Sequence, residues 1–266
     1  MSGDTRETRA LLRALSAMAE KAGEEILRFY QGPIAVTSKA DTSPVTAADH
    51  AAEAVILEAL APLLPGVPVV SEEATAAGRV PAIGSADDPH RRFWLVDPLD
   101  GTKEFISRNG EFTVNIALIE GTKPVLGVVH LPALGTTYAG AIDGGATLSH
   151  KGDTPRPIAA RVQPGSGAIV LASRSHSDAA ALDAFLAGER VAALESAGSS
   201  LKFCRIAEGL ADIYPRLGRT MEWDTAAGQA VLEAAGGSVR TLDGRELGYG
   251  KPGFENPHFV ARGRQA

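Results

Sequence analysis

Along residues 5–30, "TRETRALLRALSAMAEKAGEEILRFY", apolar side chains return at Leu11, Leu12, Leu15, Met18, Ala22 and Ile26. Helical spacing of this kind predicts one amphipathic helix. Gly32-Pro33 should stop it, because proline cannot continue the hydrogen-bond ladder. "IAVTSKAD" predicts a short strand, and a second helix is expected from about Thr46 to Leu64. "VPVV" (67–70) reads as a strand that ends in Ser71-Glu72-Glu73, and residues 74–90, polar and small, read as a mobile surface loop. "RRFWLV" is a short unbroken apolar run, so it predicts a buried strand. That strand delivers the chain into "DPLDGT" at 97–102.

Downstream, "FTVNIALIEGTKPVLGVVHLPALGTTYAGAIDGGATLSHKG" alternates β-branched runs with glycine turns, which predicts antiparallel strands. "RPIAARVQPGSG" reads as a linker. Beyond it the strands "AIVLAS", "VAALES" and "DIYPRL" are followed by helices near Ser177, near Ser199 and over 224–235, and "GSVRTL" and "HFVAR" close the chain as strands. Alternation of strand and helix marks an α/β arrangement. The reading is an α+β half, residues 1–162, followed by an α/β half, residues 163–266, with no internal repeat.

Composition narrows the function classes. The 266 residues are 44% hydrophobic, and the formal net charge is −6, which argues against sequence-independent nucleic-acid binding. One cysteine, Cys204, excludes an internal disulfide framework; beside Phe203 and Ile206 it reads as a small core residue. No apolar run reaches the length of a membrane span, and the polar N-terminus lacks a signal-peptide layout. The expectation is a cytoplasmic protein without a transmembrane segment, with peripheral attachment to the inner membrane and oligomeric state left open.

The candidate chemistry lies in acids at the ends of predicted elements: Asp49, Glu72-Glu73, Asp97, Asp100 and Asp224. Oxygen ligands of this kind suit Mg²⁺. Each acid also has a purely structural use. Asp49 completes Thr46-Ala47-Ala48-Asp49, a capping-box pattern. Asp224 could favour a helix N-terminus, Glu72 and Glu73 could be solvated charges, and Asp97 and Asp100 could form an Asx turn. An EF-hand loop fails, because Leu99 stands where an acid is required. Acids at four element ends together are hard to attribute to capping alone.

Taken in order, Asp49, Glu72-Glu73, Asp97-Pro98-Leu99-Asp100-Gly101-Thr102, Trp223-Asp224 and Gly236-Gly237 resemble the signature of the lithium-sensitive, magnesium-dependent phosphomonoesterases. That superfamily includes inositol monophosphatases, fructose bisphosphatases and bisphosphate nucleotidases. The resemblance implies a layered αβαβα sandwich with two or three Mg²⁺ between its halves. It implies Glu72, Asp97, the Leu99 carbonyl, Asp100 and Asp224 as metal ligands, and Asp49 and Thr102, with Glu72, as the group that positions the attacking water. Glu72, Leu99, Asp100, Gly101, Thr102 and Asp224 would also face the scissile phosphate. Two cations can clamp the attacking and leaving oxygens of an in-line displacement, and Pro98 stiffens the turn that would carry them.

Four stretches point to the nucleotidase branch: "GTKEF" (101–105), "SRSHSD" (173–178), "GSSLKFCRIAEGLADIYPR" (198–216) and "EWDTAAGQAVLEAAGG" (222–237). The resemblance implies removal of the 3′-phosphate from 3′-phosphoadenosine 5′-phosphate, a step in sulfur assimilation. It places His176 near the adenine, and Ser199, Lys202 and Arg216 at the remaining phosphate. Independently, Gly198-Ser199-Ser200 opens a predicted helix, where anions bind, and Lys202 lies in its first turn, where a cation opposes the dipole. Arg216 at a strand end suits bidentate phosphate contact. The structural alternatives are surface charge for Lys202 and Arg216 and an ordinary loop position for His176. Arg219 departs from the pattern, since relatives commonly carry proline there. Competing functions are an inositol or sugar phosphate phosphatase and a non-catalytic nucleotide sensor.

Overall fold

The computed structural model describes residues 5–32, 36–38, 44–173 and 179–265. Its elements are α1 (Thr5–Tyr30), β1 (Val36–Ser38), β2 (Pro44–Thr46), α2 (Ala47–Leu60), β3 (Val69–Ser71), α3 (Glu72–Ala76), β4 (Arg92–Asp100), α4 (Thr102–Ile106), β5 (Thr113–Glu120), β6 (Lys123–Leu131), β7 (Thr136–Ala141), β8 (Gly145–His150) and β9 (Arg156–Ile158). There follow β10 (Ala168–Ser173), α5 (Ala179–Leu186), β11 (Val191–Ala197), α6 (Leu201–Ala207), β12 (Ile213–Arg216), α7 (Ala226–Ala234), β13 (Ser238–Thr241) and β14 (Phe259–Arg262).

One sheet takes the order β3-β4-β5-β6-β7-β8-β9, and a second takes β11-β10-β12-β14-β13. The first is antiparallel apart from the β3–β4 pair. The second is mixed, parallel around β10 and antiparallel around β14. Successive strand side chains point to opposite faces, so β4 feeds two cores. Trp94 and Val96 pack with Leu15, Met18, Ile26 and Ile56 of α1 and α2. Phe93 and Leu95 pack with Phe203 of α6 and Val231 of α7. That is the physical reason its sequence is apolar without alternation. Each fully buried side chain of this size contributes about 1.5–3 kcal/mol.

The far side of α6 and α7 is covered by the second sheet, through Leu171, Tyr214 and Phe259. The outer face of that sheet holds Ala168, Val170 and Ile213 against Phe185 and Leu186 of α5. The layers therefore run α1/α2, first sheet, α6/α7, second sheet, α5. Two strand glycines seat α7. A Cβ on Gly127 would lie 2.7 Å from the Ala227 carbonyl oxygen, and one on Gly140 would lie 2.8 Å from the Val231 Cα. Cys204 is fully buried on α6, as its apolar neighbours imply. No described helix is long and apolar enough to cross a membrane.

Three local expectations change. The second helix stops at Leu60 rather than Leu64. The stretch read as a loop from residue 74 begins inside α3. Here the Glu53 carboxylate of α2 accepts from Ser71 Oγ and, at 3.0 Å, from the Ala74 amide, a tertiary cap that local sequence does not announce. The stretch read as a linker starts with β9, paired to β8.

His130 of β6 joins α1 to the first sheet. Its Nδ1 lies 2.9 Å from Thr137 Oγ1, which donates to Glu20 of α1 at 3.0 Å. The ring packs so closely on Gly23 that a Cβ there would lie 2.7 Å away. Burial lowers the imidazole pKa from 6.5 to about 4. Between those values the unfolded chain binds a proton that the folded one excludes, so stability falls as pH drops from about 6.5 to about 4. The loss is at most about 3–4 kcal/mol. In urea melts across this window, His130→Asn should flatten the pH slope; an unchanged slope would show that His130 does not supply it.

Candidate active site

The site grows from the end of β4. Pairing with β5 is regular up to Asp97↔Asn115 and resumes at Asp100↔Thr113, so one residue is extra on the β4 side. A bulge of this kind re-aims side chains, and Asp97, Leu99 and Asp100 all reach one cleft. The Leu99 amide donates to Asp97 Oδ1 at 3.0 Å, an Asx-type closure of the turn. Gly101 follows in the left-handed region at φ 89°, where glycine carries no steric penalty. Thr102 then opens α4 on the cleft wall.

Other elements bring the remaining acids. Glu72 starts α3 and Asp224 precedes α7, and both line the same cleft, of about 550 Å³. Asp49 serves the capping use that its sequence pattern announced, and it also faces Thr102. Its Oδ2 accepts from the Thr46 amide at 2.8 Å and the Thr46 hydroxyl at 2.7 Å, completing the capping box. Its Oδ1 faces Thr102 Oγ1 at 3.4 Å. That distance is long for a hydroxyl donor, and the same hydroxyl lies 3.4 Å from the Leu99 carbonyl.

The carboxylates are crowded and desolvated. Burial, then Glu72, Asp100 and Asp224, push the Asp97 pKa well above the carboxylate range. Burial, then Asp100 and Glu72, bring Asp224 to about 8. Asp100 rises to about 6, mainly through burial, although nearby Lys202 opposes the rise. Such a group is stable as anions only beside positive charge. No three of the described His, Cys, Asp or Glu side chains form a finished metal cage. The donor set nonetheless fits Mg²⁺, which takes hard oxygens, keeps several waters and needs few carboxylates per ion.

Cations come from the second sheet and α6. Lys202 is 3% exposed; its Nζ donates to the carbonyls of Ala197 at 3.1 Å and Ser199 at 2.6 Å, and lies 5.0 Å from the Tyr214 ring. Burial lowers its pKa to about 8, with Asp100 resisting. Arg216 donates to the Arg219 carbonyl, while its buried Nε has no hydrogen-bond partner among the described residues. Ser199, at φ 40°, likewise holds a buried hydroxyl without a partner among the described residues. All three line the cleft. Gly198 lies behind them, its amide donating to Glu111 at 2.8 Å. A Cβ on Gly198 would lie 2.8 Å from Glu104. His176 lies outside the described residues.

Two residues that sequence reasoning did not single out tie the site together. Ser200 donates its amide to Asp100 Oδ2 at 2.7 Å and its hydroxyl to the Asp224 carbonyl at 2.7 Å. Asn115 donates to Asp100 at 3.3 Å and to Ser200 Oγ at 3.1 Å. One signal existed for Asn115: it is a fully buried amide inside the apolar run of β5.

Comparison with known proteins gives the family and the fold. The sequence matches the inositol monophosphatase family over residues 7–263. It is 47% identical over 252 residues to the 3′(2′),5′-bisphosphate nucleotidase CysQ of Escherichia coli K12, spanning 94% of this chain and 98% of that protein. The crystal structure of CysQ from Bacteroides thetaiotaomicron superposes with a TM-score of 0.79 at 35% identity, over 97% of this chain and 98% of the other. Inositol monophosphatase from Anabaena superposes at 0.73 with 25% identity, over 96% and 91%. The chain belongs to the inositol monophosphatase family of metal-dependent phosphatases.

Proposed function

We propose that this chain is a 3′(2′),5′-bisphosphate nucleotidase that hydrolyses the 3′-phosphate of 3′-phosphoadenosine 5′-phosphate to AMP and phosphate. The observation that carries the reading is a single cleft holding an acid cluster together with buried Lys202 and Arg216. A substrate with one scissile and one retained phosphate matches that pairing. A monophosphate such as inositol phosphate would leave the buried cations without use. The named activity of the relatives at up to 47% identity supports the same substrate.

In this reading residues 1–162 supply most of the metal ligands and 163–266 supply the nucleotide contacts and the last ligand. Glu72, Asp97, the Leu99 carbonyl, Asp100 and Asp224 would hold two or three Mg²⁺. When bound, these ions offset phosphate charge and lower the pKa of water. Thr102 and Asp49 then share one task. The Thr102 hydroxyl orients the attacking water and passes its proton towards Asp49 Oδ1, while Oδ2 stays fixed by Thr46. Ser199 Oγ and Arg216 Nε lack partners among the described residues, so an anion between them and Lys202 would satisfy donors that are otherwise costly to bury. His176 is proposed at the adenine on the resemblance alone. Holding the retained phosphate fixes the 3′-ester for attack, an orientation effect.

Asp97→Asn and Asp224→Asn should each reduce turnover by more than the ~10–100-fold typical of losing an outer-shell partner, with far-ultraviolet circular dichroism unchanged. Phosphate release near the wild-type rate at saturating Mg²⁺ would remove these residues from the ligand set.

Lys202→Ala should lose about 1.5–3 kcal/mol of transition-state stabilisation, or one to two powers of ten in kcat/KM, on 3′-phosphoadenosine 5′-phosphate. On 3′-AMP, which has no 5′-phosphate, the loss should be much smaller. Equal losses on the two substrates would place Lys202 in support of the fold rather than at the retained phosphate.

A further inference from the structure

The turn that carries Asp224 is gripped from behind by a second acid. Glu222 is fully buried and faces away from the cleft. Its Oε2 accepts from the Gly250 amide at 2.7 Å, and its Oε1 from the Lys251 amide at 2.9 Å and the Lys251 ammonium at 2.7 Å. The same ammonium donates to Asn256 Oδ1 at 3.1 Å. Asn256 in turn donates to the Met221 carbonyl at 2.8 Å and to Thr225 Oγ1 at 2.9 Å. Main-chain bonds run from Glu222 to Phe254 at 2.8 Å and from Asn256 to Thr220 at 2.9 Å. Residues 248–256 are thus a strap closed around residues 220–225.

The strap answers a mechanical problem. Asp224 stands among Glu72, Asp97 and Asp100, and like charges push it outward. Its own helix offers little restraint, since Thr225 at the N-cap makes no side-chain cap. The carboxylate is held directly by the Met221 amide at 2.8 Å, and Met221 is the residue that Asn256 grips. The Glu222 carboxylate, with three donors on it of which one is the Lys251 cation, is fixed in place, because losing that cation leaves a buried charge uncompensated.

We propose that Glu222 and Lys251 are positioning residues. They preset the Asp224 carboxylate against repulsion, so that a divalent cation meets a ligand already in place. The inference rests on the reading of Asp224 as a metal ligand. If the buried ion pair were purely structural, breaking it would lower stability and leave metal affinity alone.

The test is calorimetric titration of the full chain with Mg²⁺ alone, beside thermal melts without metal. The variants are Glu222→Gln, Lys251→Met and, as a stability control, Asp212→Asn. The control breaks the bidentate Arg161–Asp212 pair, at 2.8 Å on both arms, away from the cleft. Glu222→Gln and Lys251→Met should each weaken Mg²⁺ binding by about tenfold or more, the scale of outer-shell losses, while Asp212→Asn melts lower and binds as wild type does. Wild-type affinity in Glu222→Gln overturns the proposal, as does an equal loss in Asp212→Asn. Lys251→Met keeps both amides on Glu222, so it decides the matter if Glu222→Gln does not fold. If wild-type protein binds no Mg²⁺, the metal reading itself falls, and this inference with it.

Discussion

Crowding of carboxylates in a buried cleft is the constraint on which the rest of this structure depends. Glu72, Asp97, Asp100 and Asp224 line one cleft. Burial and mutual repulsion raise the pKa values of Asp97, Asp100 and Asp224. An arrangement of this kind opposes folding unless it is held by something stiffer than its own side chains. The supports are the interior of a doubly packed sheet, the helices on either face of it, and hydrogen bonds that fix the acids one by one.

The fixing is distributed between the halves of the molecule. Asp97 and Asp100 ride on β4, whose side chains fill cores on both faces. Asp224 arrives on a turn leading into α7, which is pressed against the first sheet at Gly127 and Gly140. Ser200 spans the junction by bonding Asp100 and the Asp224 carbonyl at once. A shift of either sheet relative to the other would therefore disturb acid spacing directly. Rigid packing of this sort fixes the spacing of the acids.

The same junction creates the cationic side of the cleft. Lys202 is buried on α6 with its ammonium returned to the carbonyls of Ala197 and Ser199. Burial lowers its pKa to about 8, and Asp100 opposes that fall. The acids and the cations thus stabilise one another at the boundary between the two sheets, and an anionic substrate with two phosphates fits that division of charge.

Much of this was legible from the chain alone. The apolar spacing of α1, the unbroken "FWLV" of β4 and the turn chemistry of Asp97-Pro98-Leu99-Asp100-Gly101 each express a local rule, so they could be read locally. Asp49 showed a capping box, and the box is present. Its second oxygen, aimed at Thr102, depends on how α2 meets α4, a relation between residues 53 positions apart. The cap that Glu53 provides for α3, the Ser200 bridge and the strap at Glu222 have the same character. In each, a polar group finds its partner across the core, and no periodicity or neighbouring residue records that meeting. Sequence determined which residue types stand at the ends of which elements. Only the packing of the two sheets around α6 and α7 decided which of those ends meet, because desolvation and hydrogen-bond partners are properties of the assembled interior.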